Sequence, residues 1–422
     1  MFNIRPYLRL NLRLFDVDLN VQTTKSPGLT DGMKTYYEDR LIDYAEPQLV
    51  HDQFGDEYNI PKHGGKIIEF RKYLPLPKAL NQLIEGVTPK GGKLEMSTLT
   101  AEVGQYGYYI TISDILELAH VDPQIEQATK LLGSQAGRTL DTITRDVITA
   151  GTNVSYAPKV SAAGAETEVL SRADLDDTAL LTTRVIFKAA AKLRRMNAVP
   201  INDCYVAIVH PNVSCDLMLS DGWIDVHKYA QPDNIYNGEI GKLGGVRFVE
   251  STEARIIGPA AISDGLGVLS VKTAINSSSS SIVINEELTS ATPAEPIPVY
   301  INGSPNTITA IATTGGNTTL TIGTAVTSLA AGAKITGKGA TKSGKAVYCT
   351  LFVVQNAYGR TALKNGGLQH IIKQLGSGGT ADPLNQRATT GWKATKVAER
   401  LVEEYMVRVE HCSETEPYAA AN

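Results

Sequence analysis

The sequence has little of what marks several large classes of protein. Its four cysteines, at positions 204, 215, 349 and 412, are too few and too scattered for a disulfide scaffold. No apolar run reaches the roughly 18 residues that a membrane span needs, and aromatic residues make up only 6%. Lysine and arginine (40) do not outnumber aspartate and glutamate (44), which argues against a dedicated nucleic-acid binder. The 422 residues, 42% of them hydrophobic, predict two or three soluble compact units with a large core.

The first twenty residues lack the features of a targeting signal. Arg5, Arg9 and Arg13 interrupt their only apolar stretch, whereas a secretory signal needs an unbroken apolar segment of roughly 7–15 residues. Asp16 and Asp18 argue against a mitochondrial presequence. We therefore expect a solvated arm, or one bound to another protein, on a chain that folds in a reducing cytoplasm with free thiols.

Residues 66–112 predict a long two-stranded ribbon. The segment KIIEFRKYL alternates in polarity, and the return segment LEMSTLTAEVGQYGYYITIS is rich in β-branched residues and tyrosine, as strands are. Prolines and glycines between them predict a long irregular tip. Because a two-stranded hairpin is marginally stable alone in water, this ribbon is expected to pack on its own domain or to reach over a neighbouring subunit.

Residues 122–151 predict the longest helix, with Asp122 as its cap. At 1.5 Å per residue it spans about 42 Å, which suggests a structural spine. Asp141 and Arg145 are spaced for pairing across its polar face. Its apolar residues recur at three- and four-residue steps as one continuous stripe: Ile125, Ala128, Leu132, Ala136, Leu140, Ile143 and Val147.

Shorter patterns complete an α+β chain. They predict helices over 33–45, over 175–197 with Asp174 or Asp177 as cap, and over 213–219, and strands over 205–209, 246–250 and 401–411. Residues 259–345 differ in composition, because only 9 of the 87 are charged and 47 are Ser, Thr, Gly or Ala. Short β-branched runs separated by turn residues predict a small all-β unit inserted between two strand-like segments.

Motifs that carry chemistry are weak. Residues 339–346, GATKSGKA, nearly match a phosphate-binding loop, but Ala346 replaces the Ser/Thr and a predicted strand follows instead of a helix. A turn that closes the β unit explains this segment better. Cys204, His210, Cys215 and Asp216 form an imaginable metal set, but no C-x-x-C accompanies them, so buried thiols and a core histidine are the preferred interpretation.

The remaining candidates are isolated. Glu85 lies in a predicted turn at the ribbon tip with no partner carboxylate at a fixed spacing, and no G-x-S-x-G or H-E-x-x-H motif is present. His411 and Cys412 are adjacent in a predicted strand, so their side chains point to opposite faces. We therefore predict no enzyme activity and no catalytic, cofactor-binding or metal-binding residues.

Four blocks, in order along the chain, carry a family resemblance: LVHDQFGDEYNIPKHGGKIIEFRKYLPLPKA (49–79), LIEGVTPKGGKLEMSTLTAEVGQYGYYITISDILEL (83–118), ATKLLGSQAGRTLDTITRDVITAGTNV (128–154) and NAYGRTALKNGGLQHIIKQLGSGGTADPLNQRATTGWKATKVAERLVEEYMVRVEHCS (356–413). Together they resemble the major capsid proteins of tailed bacteriophages, in the branch typified by the coat protein of coliphage N-four. The match spans most of residues 30–258 and 346–413, whereas residues 1–20 and the β unit depart from the family pattern.

The resemblance implies an α+β fold of the Hong Kong 97 coat-protein type, divided into five parts. These are an N-terminal arm (1–60), an extended loop formed by a β-hairpin (61–113), a peripheral domain with the spine helix and a strand over 401–411 beside it (114–170 and 391–415), an axial domain (171–258 and 346–390), and an inserted β-rich domain (259–345). The inserted domain is expected to project from a shell, where it stabilises capsomers or replaces a decoration protein.

The function that the resemblance implies is that of a major capsid protein. It would self-assemble in the bacterial host cytoplasm into hexamers and pentamers of a virion shell, enclosing double-stranded DNA without sequence-specific binding and without contact to a membrane. Portal, scaffolding and decoration proteins are the expected partners, and no cofactor is expected. Two alternatives stay open: a host-encoded nanocompartment of the same fold that loads a cargo enzyme, and an enzyme or sugar-binding module built on the β unit. The β unit lacks Trp, His and Phe, so the usual sugar-stacking platform is missing.

Overall fold

The computed structural model describes residues 49–422 except 59–65, 74–75, 77, 81, 83–84, 87, 89–90, 115–123, 162, 221–238, 363–367, 375–376, 378–383 and 385. The predicted helix over 33–45, most of the predicted arm, and the predicted cap Asp122 lie outside these residues. No helix in the described part of the chain is both long and apolar enough to cross a membrane.

The described helices are α1 (Gln124–Thr149), α2 (Thr183–Arg195) and α3 (Pro211–Leu219). The strands up to residue 257 are β1 (Asp56–Tyr58), β2 (Ile67–Tyr73), β3 (Met96–Glu102), β4 (Gly104–Ser113), β5 (Val154–Tyr156), β6 (Lys159–Val160), β7 (Glu166–Thr167), β8 (Tyr205–Val209), β9 (Glu239–Leu243), β10 (Val246–Glu250) and β11 (Ile256–Ile257). The others are β12 (Val268–Ser270), β13 (Ser279–Ile284), β14 (Ile297–Ile301), β15 (Ser304–Thr314), β16 (Asn317–Val326), β17 (Lys334–Gly337), β18 (Val347–Val353), β19 (Tyr358–Thr361), β20 (Leu368–Lys373), β21 (Arg387–Lys396), β22 (Ala398–Arg400) and β23 (Met406–His411).

The largest core surrounds a seven-stranded sheet in the order β5-β23-β18-β8-β10-β9, with β11 paired to β18. Strands β8 and β18 lie side by side at its centre, antiparallel, and every residue of both is buried. Their continuous apolar runs, YVAIV and VYCTLFV, are typical of strands covered on both faces. Helix α2 packs against this core through its apolar side, formed by Val185, Ile186, Ala189, Ala190 and Leu193.

A second core lies between α1 and the three-stranded sheet β20-β21-β4. Leu132, Ala136 and Leu140 of the helix stripe are at most 2% exposed, which confirms this part of the stripe as the packing face. Trp392 of β21 covers it, and its indole Nε1 donates a hydrogen bond to Gln135 Oε1 at 2.8 Å.

Residues 268–337 contain a sheet of their own, in the order β12-β17-β14-β15-β16-β13, with a separate hydrophobic core of fourteen buried residues. This sheet lies within residues 259–345, for which the sequence predicts a small all-β unit. At its base the chain backbones approach closely, because a Cβ on Gly337 would lie 1.9 Å from the carbonyl oxygen of Ala260. Only glycine fits at that position without moving the backbone.

The ribbon is shorter than predicted. Strand β2 pairs with β3 from Ile67↔Glu102 to Tyr73↔Met96. The rest of the predicted return strand leaves this pair after Val103 and becomes β4, which pairs along its whole length with β21. The β-rich run LEMSTLTAEVGQYGYYITIS is therefore two strands of different sheets.

The second helix begins eight residues later than predicted, and its N-cap is Thr182, not Asp174 or Asp177. Local hydrogen bonds compete with the helix here. Asp176 Oδ1 accepts from the backbone NH and the hydroxyl of Thr178, at 3.1 and 2.7 Å, an Asx-type turn that does not continue as a helix. Asp174 ends a short 3₁₀ turn.

Two predictions near the C-terminal end, a strand over 401–411 and a domain boundary at residue 390, also differ from the structure. The predicted strand over 401–411 forms only over β23, because residues 403–405 make a 3₁₀ turn. Strand β23 pairs with β18 and β5 in the large sheet, whereas β21 and β22 are the strands from this part of the chain that pack on α1. The predicted boundary at residue 390 therefore does not follow the sheets, because it cuts through β21.

Candidate assembly surfaces

Apolar contacts among the described residues fix the base of the ribbon formed by β2 and β3. Phe70 is 2% exposed, and its ring packs edge-on against Tyr58 with centroids 4.8 Å apart. Ala101, Val103 and Val397 complete this small core. The base of the ribbon is thus fixed to the body of the chain by apolar contacts.

Beyond the base, the ribbon and its tip expose large apolar side chains. Leu76, Leu80 and Leu94 are 60%, 83% and 73% exposed, and Met96 and Leu99 are also exposed. Isolated exposed apolar residues are ordinary, but several on one two-stranded projection are typical of an interaction surface. Since two strands alone are marginally stable in water, covering this segment would stabilise it.

The outer face of the β20-β21-β4 sheet, opposite α1, carries an open groove of about 620 Å³. Tyr109 and Ile371 stand on either side of Gly391 in register and are 69% and 43% exposed. A Cβ on Gly391 would lie 2.7 Å from the carbonyl oxygen of Tyr108. The glycine therefore keeps the groove floor flat between two apolar walls.

A buried polar network joins residues 51–52 to α1 and β21. His51 donates its backbone NH to Asp141 Oδ1 at 2.7 Å, and its Nδ1 lies 2.6 Å from Oδ2. Asp52 accepts from Thr144 Oγ1 at 2.5 Å and from the ammonium of Lys396. All five side chains are less than 5% exposed, so this network fastens the segment before the ribbon to the helix and its sheet.

Asp141 and Arg145 do not form the predicted surface pair. Both are buried, and Arg145 instead binds Asp146 Oδ1 at 2.9 Å and the carbonyl of Glu253. Spacing along a helix shows which residues share a face, but not whether a distant segment covers that face.

Another buried charge cluster lies in the large sheet at Glu410, whose side chain is fully buried. Arg172 donates Nε and Nη2 to its two carboxylate oxygens, each at 2.7 Å. Such bidentate pairs are among the stronger ionic contacts in proteins. The cluster ties the 3₁₀ turn before α2 to strand β23.

Neighbouring His411 is fully buried in its neutral form. Its Nδ1 donates to the carbonyl of Cys412 at 2.9 Å and its Nε2 accepts from Thr350 Oγ1 at 2.8 Å. Burial lowers the pKa of His411 to about 4, because the imidazolium loses its hydration. His411 and Cys412 form no dyad, and burial raises the pKa of Cys412 to about 12.

The other candidate residues lie apart from any common site. Residues 339–346 form a turn closed by a hydrogen bond from Gly344 N–H to Thr341 O, and β18 follows, as predicted.

The residues of the imagined metal set have other roles. His210 caps α3 by accepting from Asn212 N–H at 3.2 Å, and Asp216 binds residues 413–415. Cys215 is exposed, so the prediction of a buried thiol there is wrong; no metal-type cluster of His, Cys, Asp or Glu occurs among the described residues. Glu85 is exposed in a turn, and Arg5, Arg9 and Arg13 lie outside the described residues.

Neither the groove beside Gly391 nor the buried network was predicted from the sequence. A glycine inside a strand pattern signals close backbone approach, so Gly391 within RATTGWKATK was an available signal for the groove. The network had no such signal, because His51 and Asp141 are 90 residues apart.

No protein-family model matches the sequence, and no curated protein matches it. Among solved structures, the capsid of cyanophage P-SCSP1u aligns over 87% of this chain and 89% of its own, at 11% identity and a TM-score of 0.50. The chain has the Hong Kong 97-type coat-protein fold. The capsid of Ralstonia phage GP4 aligns over 83% and 84% at 11% identity (TM-score 0.49), and the SrpI encapsulin of Synechococcus elongatus PCC 7942 over 89% and 90% at 7% identity (TM-score 0.43).

Proposed function

We propose that this chain is a coat protein that self-assembles into hexamers and pentamers, forming a phage head shell around double-stranded DNA. The observation that carries the proposal is the ribbon of β2 and β3, fixed at Phe70 and apolar beyond it. The likeness in fold to the cyanophage capsid supports it. The four sequence blocks further support membership of the coliphage N-four branch.

In this proposal the ribbon is the extended loop, and it lies over an adjacent subunit. Fully burying a leucine side chain contributes about 1.5–3 kcal/mol, so Leu76, Leu80 and Leu94 together contribute several kcal/mol before the cost of association. Each subunit both gives and receives a ribbon, so these modest contacts repeat around a closed ring. Helix α1 is the spine of the peripheral domain, the large sheet is the axial domain, and the β unit at 259–345 projects from the shell.

The test replaces the three exposed ribbon leucines with serine, L76S/L80S/L94S, in the full-length chain. Leu170, 87% exposed and remote from the ribbon in sequence, gives the matched control L170S. Negative-stain microscopy and mass photometry should show shells or capsomer rings for the wild type and the control, and dissociated chains with an unchanged circular dichroism spectrum for the triple variant. Assembly of the triple variant at wild-type concentration would overturn the role of the ribbon.

The content of purified shells tests the genome-enclosing part of the proposal. Shells recovered from the natural source should contain double-stranded DNA protected from nuclease. Shells that instead hold a cargo enzyme and no nucleic acid would replace the phage proposal with the nanocompartment alternative.

A further inference from the structure

Helix α2 has a cationic face without acidic residues. Its thirteen residues, TRVIFKAAAKLRR, contain five lysines and arginines and no aspartate or glutamate, in a chain whose net charge is −4. Arg184, Lys188, Lys192 and Arg195 follow one another at steps of four, four and three residues, so they share one side of the helix. At 1.5 Å per residue they form a line about 16 Å long.

This face borders an open groove of about 730 Å³. Lys188, Lys192 and Arg195 line one wall, and the rest is lined mostly by apolar and small residues, together with one acidic residue, Glu168. The cations therefore stand along a recess with room for a ligand.

The positive charge of the groove is only partly balanced. Glu166 is the ion-pair partner of both Arg184, at 2.9 Å, and Lys188, at 3.7 Å. Lys192 Nζ reaches only the hydroxyl of Ser155, at 3.3 Å. Among the described residues no carboxylate lies within ion-pair distance of Lys192 or Arg195.

The environment of Lys192 disfavours the charged form of its side chain. Burial lowers the pKa of its ammonium, and the adjacent guanidinium of Arg195 lowers it further. The helix dipole favours cations in the last turn, which explains why Lys192 and Arg195 are tolerated there. It does not account for Arg184 and Lys188, which lie in the first half of the helix. An external anion would relieve the repulsion.

We propose that the α2 groove binds the phosphate backbone of double-stranded DNA, so that this side of the chain faces the enclosed genome. The inference rests on the proposed shell function. A line of cations suits a polymer that carries one negative charge per roughly 1.7 Å of its axis. With few contacts the binding is weak and independent of sequence, as packaging and release of a genome require.

The test measures binding of soluble full-length chain to a fluorescent 30-base-pair duplex by anisotropy over a range of salt concentrations. The variant K192Q/R195Q removes the two unpaired cations, and K272Q/K338Q, in the β unit, removes the same charge from exposed positions. We expect the variant to bind roughly 10- to 100-fold more weakly at 50 mM salt. Its slope of log affinity against log salt should be shallower by about 2, while the control matches the wild type.

Three outcomes would overturn the inference: equal loss of affinity in variant and control, polyglutamate competing as well as DNA at matched charge, or loss of capsomers in K192Q/R195Q. The last two would assign the groove to an acidic protein or a neighbouring subunit. Capsomer formation by negative stain is read separately, so failure of the shell proposal is distinguishable from failure of DNA binding.

Discussion

Removal of the charge on Asp52 should destabilise the chain strongly, because it leaves the ammonium of Lys396 buried without a partner. Lys396 is fully buried and Asp52 is 4% exposed. Breaking one side of such a pair costs about 3–5 kcal/mol, whereas removing both charges is often close to neutral. Against a typical free energy of unfolding of about 5–15 kcal/mol, D52N removes a large fraction of the stability.

The assay is urea unfolding of the unassembled chain followed by circular dichroism. We expect D52N to lose about 3–5 kcal/mol and D52N/K396M to lose less than half of that. Glu102, which pairs with Lys66 in the open with side chains 65% and 72% exposed, gives the control E102Q, and no measurable change is expected there. A D52N loss below about 1 kcal/mol, or a double variant less stable than the single one, would show that Asp52 does not compensate the buried charge of Lys396.

Three further predictions concern acid, the ribbon base and the C-terminal segment. An unfolded histidine takes up a proton near pH 6.5, but folded His411 does so only near pH 4. The free energy of unfolding therefore falls as the pH falls through that window. Between pH 7 and 5 the wild type should lose about 2 kcal/mol more than H411Q. Equal pH dependence of the two would contradict this. A Cβ on Gly359 would lie 2.8 Å from the ring of Phe70. The variant G359A should therefore displace the ribbon anchor, lower stability by about 1–3 kcal/mol and reduce assembly. If G359A melts and assembles like the wild type, Phe70 does not anchor the ribbon in this way. Asp216 holds residues 413–415 through four hydrogen bonds, so limited proteolysis near residue 415 should be faster in D216A than in the wild type, and an unchanged rate would contradict the clamp.

Patterns confined to one segment were predictable from the sequence. The stripe Ala128-Leu132-Ala136-Leu140 is buried as its spacing requires, and the charge-poor region at 259–345 forms its own sheet. Both depend on the periodicity or composition of contiguous residues, which a sequence displays directly.

Features that depend on distant segments were not predictable. The pattern of β4 identifies a strand, but nothing in it shows that the partner is β21, some 280 residues away, and not β2. Asp141 is spaced as a surface residue, but it is buried and hydrogen-bonded to His51, 90 residues away. The candidate surfaces divide in the same way: the ribbon was visible as a local pattern, whereas the groove beside Gly391 exists only once β4, β20 and β21 are paired.

Cryo-electron microscopy of the expressed protein will show whether another copy of the chain completes the β2–β3 ribbon. We expect closed shells or capsomer rings in which Leu76, Leu80 and Leu94 contact an adjacent subunit. A monodisperse single chain at high concentration, or an assembly that leaves those leucines in solvent, would contradict it.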